Sequence, residues 1–358
     1  MKLSSWLGGI TILINLPPMV KTNMACASQE INKRMISFDG MSLREIVRKK
    51  LHHGNPKFIN PFKRFRKKRF LDLLKWKLGF NNPYESEYDL EEVTPVSIDW
   101  KPVTEHNGLS VTYINHSSLM IRDKGTTFLI DPIFFGLMPF IKNFTPLEFD
   151  PAEMPVPDHI LITHGHYDHL DKDSLEVFDK KTHIISPLGY EGEFSSIGMK
   201  NRTELDWFSA WSDGKREVIL LPVNHWTMRN PLVGPNKSLW GGFLIRTETG
   251  PTLFFSGDTA YCSGFKEIGK EFDIDLAVFN LGAYAPRWFM KESHINPSET
   301  LTAMEEMGAK QLIPVHWGTF RLGDEPVFKP PQDLMAEAKK RGLEDRVEIL
   351  NHGKTLYL

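Results

Sequence analysis

The sequence predicts an α/β domain over residues 94–358, and three observations predict it. Apolar runs of strand length recur from residue 109 onward, capped helical segments lie between some of them, and four of the runs end directly in a histidine or a short histidine/aspartate motif. Short apolar runs bounded by turn residues read as buried strands, and their alternation with helical segments is the pattern of layered α/β folds. A chain of 358 residues with 41% apolar content and nine tryptophans can bury such a core.

The first 27 residues read as a signal or hydrophobic leader. Lys2 precedes an apolar stretch over residues 6–16, and Ala25-Cys26-Ala27 follows, the outline of an export signal. Asn15, Pro17-Pro18 and Lys21 interrupt that outline, and the basic residues downstream oppose translocation. Exported (periplasmic or secreted) and cytoplasmic locations both stay open. The stretch is too short to span a bilayer.

Residues 28–93 read as a basic amphipathic extension and linker. Thirteen Lys/Arg lie between Arg44 and Lys77 against only Glu45 and Asp72, a local excess of 11 that leaves −13 for the rest of a chain of net charge −2. Lys63-Arg64-Phe65-Arg66-Lys67-Lys68-Arg69-Phe70 runs into Leu71-Asp72-Leu73-Leu74-Lys75-Trp76-Lys77-Leu78. A helix of this kind lays leucines and aromatics into a headgroup region while its cations meet lipid phosphates. An anionic membrane surface is therefore the expected partner, with a solvated arm as the bland reading and nucleic acid set aside. The acidic stretch 85–92 closes the linker.

In the main domain, residues 109–114, 119–121, 126–130, 159–163, 218–223, 252–255, 276–280 and 311–315 read as strands, with Asp123-Lys124-Gly125 as a turn. Residues 298–307 follow Pro297 and stop at Gly308, and 332–341 stop at Gly342, as helices do. Only Cys26 and Cys262 are present, which excludes a disulfide framework and a thiolate zinc site.

The four strand ends carry the chemistry. One run ends in His164-Gly165-His166-Tyr167-Asp168-His169, one in Asn224-His225, one in Ser256-Gly257-Asp258 and one in His316-Trp317-Gly318. If their carboxyl ends share a rim, seven ligand-type side chains converge: His164, His166, Asp168, His169, His225, Asp258 and His316. His164 and His166 can share one ion, with Asp168 and His169 turning to a second. His225 completes the first site, His316 the second, and Asp258 bridges. Imidazole with carboxylate suits two Zn2+ per chain, iron or manganese being alternatives. Each residue alone could be an ordinary strand-end or turn residue, but four such residues within six positions argue against coincidence.

The signature His-x-His-x-Asp-His, matched by His164 to His169 and followed by a separate His, Asp and His, resembles that of the metallo-β-lactamase superfamily. The resemblance implies a metallo-β-lactamase-type αββα sandwich with an irregular basic amino-terminal extension and a dinuclear zinc site at one edge. Within the superfamily the chain resembles the N-acylphosphatidylethanolamine-hydrolysing phospholipases D. That likeness rests on Leu129-Ile130-Asp131-Pro132-Ile133-Phe134, His166-Tyr167-Asp168-His169-Leu170-Asp171, Glu204-Leu205-Asp206-Trp207, Gly257-Asp258-Thr259-Ala260-Tyr261-Cys262, Gly282-Ala283-Tyr284-Ala285-Pro286-Arg287-Trp288-Phe289-Met290-Lys291 and His316-Trp317-Gly318-Thr319-Phe320. It spans residues 108–358. Gly165 stands where Asn is more usual, and Asn224-His225 replaces a Gln-His pair.

The resemblance implies a phosphodiesterase that releases N-acylethanolamine and phosphatidic acid through a zinc-bridging hydroxide, with Asp168, Asp258 and His294 as catalytic residues. A soluble lactone or phosphoester is the alternative substrate. No Gly-x-Ser-x-Gly elbow offers a covalent route. His294 is the candidate for protonating the leaving alkoxide or orienting substrate. His116, Tyr284 and Trp288 are further candidates for binding substrate, and Asp131 is read as supporting a ligand rather than being one. The apolar residues 134–140 and 288–290 suit an acyl chain, ordinary core, or the interface of a homodimer equally well.

Overall fold

Alternation along the strands divides the apolar side chains between two cores. The computed structural model describes residues 38, 40–62, 70–78 and 82–358, so the leader over 1–27 and the basic run 63–69 lie outside the described residues. The strands are β1 (Leu109–Asn115), β2 (Ser118–Asp123), β3 (Thr126–Ile130), β4 (His159–Leu161), β5 (His183–Pro187), β6 (Arg202–Leu205), β7 (Ala210–Ser212), β8 (Glu217–Leu221), β9 (Gly242–Arg246), β10 (Thr252–Phe255), β11 (Leu276–Asn280), β12 (Gln311–Val315) and β13 (Thr355–Tyr357). One sheet has the order β13-β1-β2-β3-β4-β5-β6 and the other β12-β11-β10-β9-β8-β7.

Successive side chains of a strand point to opposite faces. In the first sheet Val111, Tyr113, Phe128, Ile130, Leu161 and Ile185 enter the core shared with the second sheet. Their neighbours Ile114, Leu129, Ile160 and Ile184 pack outward against Leu175 and Phe194 of the helices Lys172–Glu176 and Glu191–Ser195. On the far side of the second sheet lie the helices Gly264–Glu271, Pro297–Met307 and Lys329–Arg341, which pack successively against one another. The result is the expected four-layer αββα sandwich.

Local chemistry explains the boundaries. Lys124 and Gly125 take φ of 47° and 87°, so the β2–β3 turn has the two left-handed residues that match strand twist. Asn296 and Glu299 form a reciprocal capping box with Pro297 in the first turn, and Gly308 ends that helix at φ 65°. The last long helix starts at Lys329, before the position expected, because Pro330 and Pro331 occupy a first turn that needs no amide donors. Strand β4 stops at Leu161, two residues short of the expectation, where the chain turns toward the ligand loop.

Directions of the strands put the chemistry on one rim. β3, β4, β5 and β6 run parallel, as do β10, β11 and β12, and β8 points the same way as β10 because each is antiparallel to β9. The described residues from Phe38 to Leu358 belong to one compact unit, to which the helix Leu43–Arg48 contributes the buried Leu43 and Ile46. Among the described residues no helix is long and apolar enough to cross a membrane.

Candidate metal centre

Two groups of side chains meet at the carboxyl ends of β4, β8, β10 and β12. His164, His166, His225 and Asp258 form one, and Asp168, His169 and His316 the other, with His116 behind it. Asp258 joins them. Its Oδ1 lies 3.3 Å from both His169 Nε2 and His316 Nε2, and its Oδ2 lies 3.8 Å from His164 Nε2 and 3.7 Å from His225 Nε2. Asp168 Oδ2 lies 3.5 Å from the same two nitrogens of His169 and His316. His166 turns Nδ1 inward, 2.9 Å from His164 Nε2 and 3.3 Å from His225 Nε2.

These separations suit a cation at each group. Ligand atoms at zinc distances from a tetrahedral ion stand about 3.4 Å apart. Moreover, His169 Nε2 and His316 Nε2 are buried with no hydrogen-bond partner, although both face carboxylate oxygens. Buried polar atoms are ordinarily satisfied, so these two point to a ligand they are built to hold. In the third cluster that could suggest a metal, His52, His53 and Asp206, the nitrogens that face the carboxylate are already bonded to it. There the imidazoles sit 2.7 and 2.9 Å from Asp206, hydrogen-bonding distances, and Lys50 and the amide of Trp207 occupy the same carboxylate. That cluster is an anchor for the amino-terminal segment, and a lysine at its centre opposes a cation.

Protonation states agree with this division. Burial and the neighbouring imidazoles hold His164 well below its ordinary pKa, and burial does the same for His225, so both are neutral and carry a lone pair for a metal. Burial opposes the charge on Asp258 and Asp168, yet the surrounding histidines bring both well below the usual carboxylate range. Burial likewise opposes charging of His169, but Asp258 and Asp168 raise it well above its ordinary value. Two ionised acids in a closed space thus demand positive charge there.

The ligands are held from behind. His169 Nδ1 meets Asp131 Oδ2 at 2.8 Å, and Thr163 donates to Asp131 from its amide (2.8 Å) and its hydroxyl (2.6 Å). His225 Nδ1 donates to the carbonyl of Ser293 at 2.9 Å, and Asn280 Nδ2 donates to Asp258 Oδ1 at 3.0 Å. Such outer partners set the tautomer and direction of each ligand. His116, Asp131 and His316 adopt φ of 42°, 41° and 71°, a left-handed backbone that costs about 1–3 kcal/mol each outside glycine. Gly257 also has positive φ, 56°, and a Cβ there would come 2.9 Å from Thr163 Cβ, so glycine permits the turn that delivers Asp258.

The candidate substrate residues divide. His294 stands over the pair, Nδ1 3.9 Å from Asp258 Oδ2, with its side chain only partly exposed. Trp288 is half-exposed on the short helix Arg287–Met290, which leads toward His294. His116, expected at the pocket, is fully buried; Nε2 contacts Asp168 Oδ2 at 3.1 Å and its carbonyl accepts from the His316 amide at 2.6 Å. It supports ligands instead of lining the opening. Burial holds its pKa down to about 3. Tyr284, expected to bind substrate, is buried, and its hydroxyl donates to Asp333 Oδ2 at 2.7 Å. The apolar stretch 134–140 splits: Phe134 is core, while Phe135, Met138 and Phe140 are exposed. Asn280 escaped the sequence reading although it ends an apolar strand exactly as the ligands do.

Comparison with known proteins agrees with the geometry. Residues 126–317 match the β-lactamase superfamily domain. The mitochondrial N-acyl-phosphatidylethanolamine-hydrolyzing phospholipase D of Saccharomyces cerevisiae is 35% identical over 257 residues, 68% of this chain and 55% of that protein. N-acyl-phosphatidylethanolamine-hydrolyzing phospholipase D 1 of Caenorhabditis elegans is 32% identical over 250 residues, 64% of this chain and 70% of that one. The chain thus spans little more than half the length of the yeast relative. Among solved structures, an isothiocyanate hydrolase from Delia radicum gut bacteria superposes with a TM-score of 0.59 at 18% identity, covering 70% of this chain and 99% of its own, a likeness of fold. Signature, sheet order and the domain match together make this chain a member of the metallo-β-lactamase superfamily.

Proposed function

We propose that the chain is a dinuclear zinc phosphodiesterase of the phospholipase D type, hydrolysing N-acylphosphatidylethanolamine to N-acylethanolamine and phosphatidic acid at an anionic membrane surface. The observation that carries this reading is the shared carboxylate Asp258 between two ligand groups, in a chain whose relatives bear that enzyme's name. His164, His166 and His225 would hold one ion, Asp168, His169 and His316 the other. Two such ions supply, when bound, a water-derived nucleophile near neutral pH and neutralise charge on the phosphodiester.

The chain's own residues do the rest. Asp258 and Asp168, both ionised, set the charge of the site and so its preference for cations. An ethanolamide oxygen leaves poorly as an alkoxide, and His294, within reach of Asp258, is the group positioned to give it a proton. Exposed apolar side chains flank the ligand loops: Phe140 is 72% exposed on the segment after β3, and Leu232 97% exposed on the loop whose Arg229 carbonyl accepts from Tyr167. Trp288 adds an exposed aromatic beneath Lys75 of the helix Phe70–Leu78, whose ammonium lies 5.4 Å from the ring. Exposed apolar groups interleaved with cations favour an interfacial position on anionic lipid.

The test is product analysis with purified, zinc-loaded protein. Vesicles containing N-acylphosphatidylethanolamine should yield N-acylethanolamine and phosphatidic acid in equal amounts, faster when acidic lipid is present. Turnover of soluble lactones or phosphoesters alone would transfer the chemistry to the alternative substrate class.

A further inference from the structure

We infer that Asn60 is a positioning residue of the metal centre, holding His225 from an amino-terminal segment that lies outside the matched domain. The inference rests on the metal reading above and extends it to a part of the chain with no motif of its own. Asn60 Nδ2 donates to the carbonyl of His225 and to Asn224 Oδ1, each at 2.9 Å, while its Oδ1 accepts from the Phe62 amide at 2.9 Å. The carbonyl of His225 can only accept, so the side-chain amide is oriented with its nitrogen toward the centre.

Asn224 carries the connection onward to the loop that follows Asp258. Its amide donates to Thr259 Oγ1 at 3.2 Å, its carbonyl accepts from the Ala260 amide at 2.9 Å, and its Nδ2 donates to the carbonyl of Tyr261 at 3.3 Å. Asn60 therefore grips the point where a ligand of the first group is tied to the loop bearing the bridging carboxylate. The imidazole of His225 is fixed by Ser293 and its amide by the carbonyl of Val223, while its carbonyl is held by Asn60.

The grip is anchored. His52 and His53 bind Asp206, one on each oxygen, and Lys50 pairs with the same carboxylate. His52 stacks on Trp207 with centroids 4.7 Å apart and planes 18° from parallel. The Ile59 amide donates to the carbonyl of His52, and the Phe58 amide to that of Asn236, both at 2.8 Å. These contacts, with the Leu43 amide donating to Glu267 and Arg44 pairing with Glu271, fasten the segment away from the two ligand groups. Asn60 in addition spends both side-chain hydrogens on the backbone and neighbour of a metal-type histidine, which is what orienting a ligand requires and mere anchorage does not.

The test compares zinc affinity and release to a chromogenic chelator in full-length wild type, Asn60→Ala and Asn60→Asp. The Asp variant keeps the acceptor for Phe62 and loses the donor. Leu334→Ala, in the buried core of the helix Lys329–Arg341, serves as a control for general destabilisation. Both Asn60 variants should weaken one of two zinc equivalents by about 10–100-fold and alter the visible spectrum of the cobalt-loaded protein, the size expected of an outer partner of a ligand. Leu334→Ala should lower Tm and leave both affinities unchanged. Wild-type affinity for both equivalents in the Asn60 variants, or equal weakening in Leu334→Ala, overturns the inference while leaving the metal centre intact. If wild type itself takes up no zinc, the metal reading falls and this inference with it.

Discussion

Asp131 Oδ2 lies 2.8 Å from His169 Nδ1, on the far side of the imidazole from Asp258 Oδ1, which is 3.3 Å from Nε2. The ring is therefore held between an outer carboxylate at Nδ1 and an inner one beside Nε2. Removing the outer partner frees both tautomer and direction. Asp131→Asn should lower zinc affinity about 10–100-fold while leaving far-UV circular dichroism unchanged. Unchanged affinity would make Asp131 a brace for the Thr163 turn only.

Substitution of His294 tests proton transfer apart from metal holding. His294 sits 3.9 Å from Asp258 Oδ2, yet its absence should leave the side chains of both groups in place. His294→Gln should keep the wild-type metal content and lower kcat by about 10²–10⁴-fold, the usual worth of a general acid. Metal loss in that variant would make His294 a ligand instead.

Glu325 provides a pH signature of its own. Burial raises its carboxyl to about 7, against the amides of Ala285 and Tyr284, which donate to it. The unfolded chain releases this proton near the ordinary value of 4.5, whereas the folded chain keeps it to about 7. Stability from this group is therefore complete below 4.5 and is lost as pH rises through 7, by about 3 kcal/mol in all. Glu325→Gln cannot ionise. In metal-free protein its urea midpoint should improve relative to wild type between pH 5 and pH 8, and parallel curves would show that Glu325 does not hold its proton.

Much of the centre was legible because a strand that ends in a ligand writes both facts in adjacent residues. His225 follows 218–223 and His316 follows 311–315, so the rim could be inferred before any sheet order was known. Direction across the rim was not legible. His116 also follows a strand, but only its pairing with Asp168 and the bond from the His316 amide to its carbonyl reveal that it faces inward. Tyr284 looked like a rim residue because Asp333, which takes its hydroxyl proton, lies 49 positions on. Asn60, in an Asn-Pro step beside a basic stretch, reads as a turn residue, and its partners at 224 and 225 are separated from it by more than a hundred residues. Short strands such as Arg202–Leu205 and Ala210–Ser212 lack a sustained apolar run and are specified by their neighbours in the sheets.

The central claim is that Asp258 bridges two cations, and elemental analysis of purified protein titrated with zinc tests it most directly. Wild type should bind two equivalents per chain, and Asp258→Asn should retain its fold while holding fewer than two and losing turnover. A wild-type protein that saturates at one equivalent or none, or an Asp258→Asn variant that keeps both ions and full activity, would contradict the account.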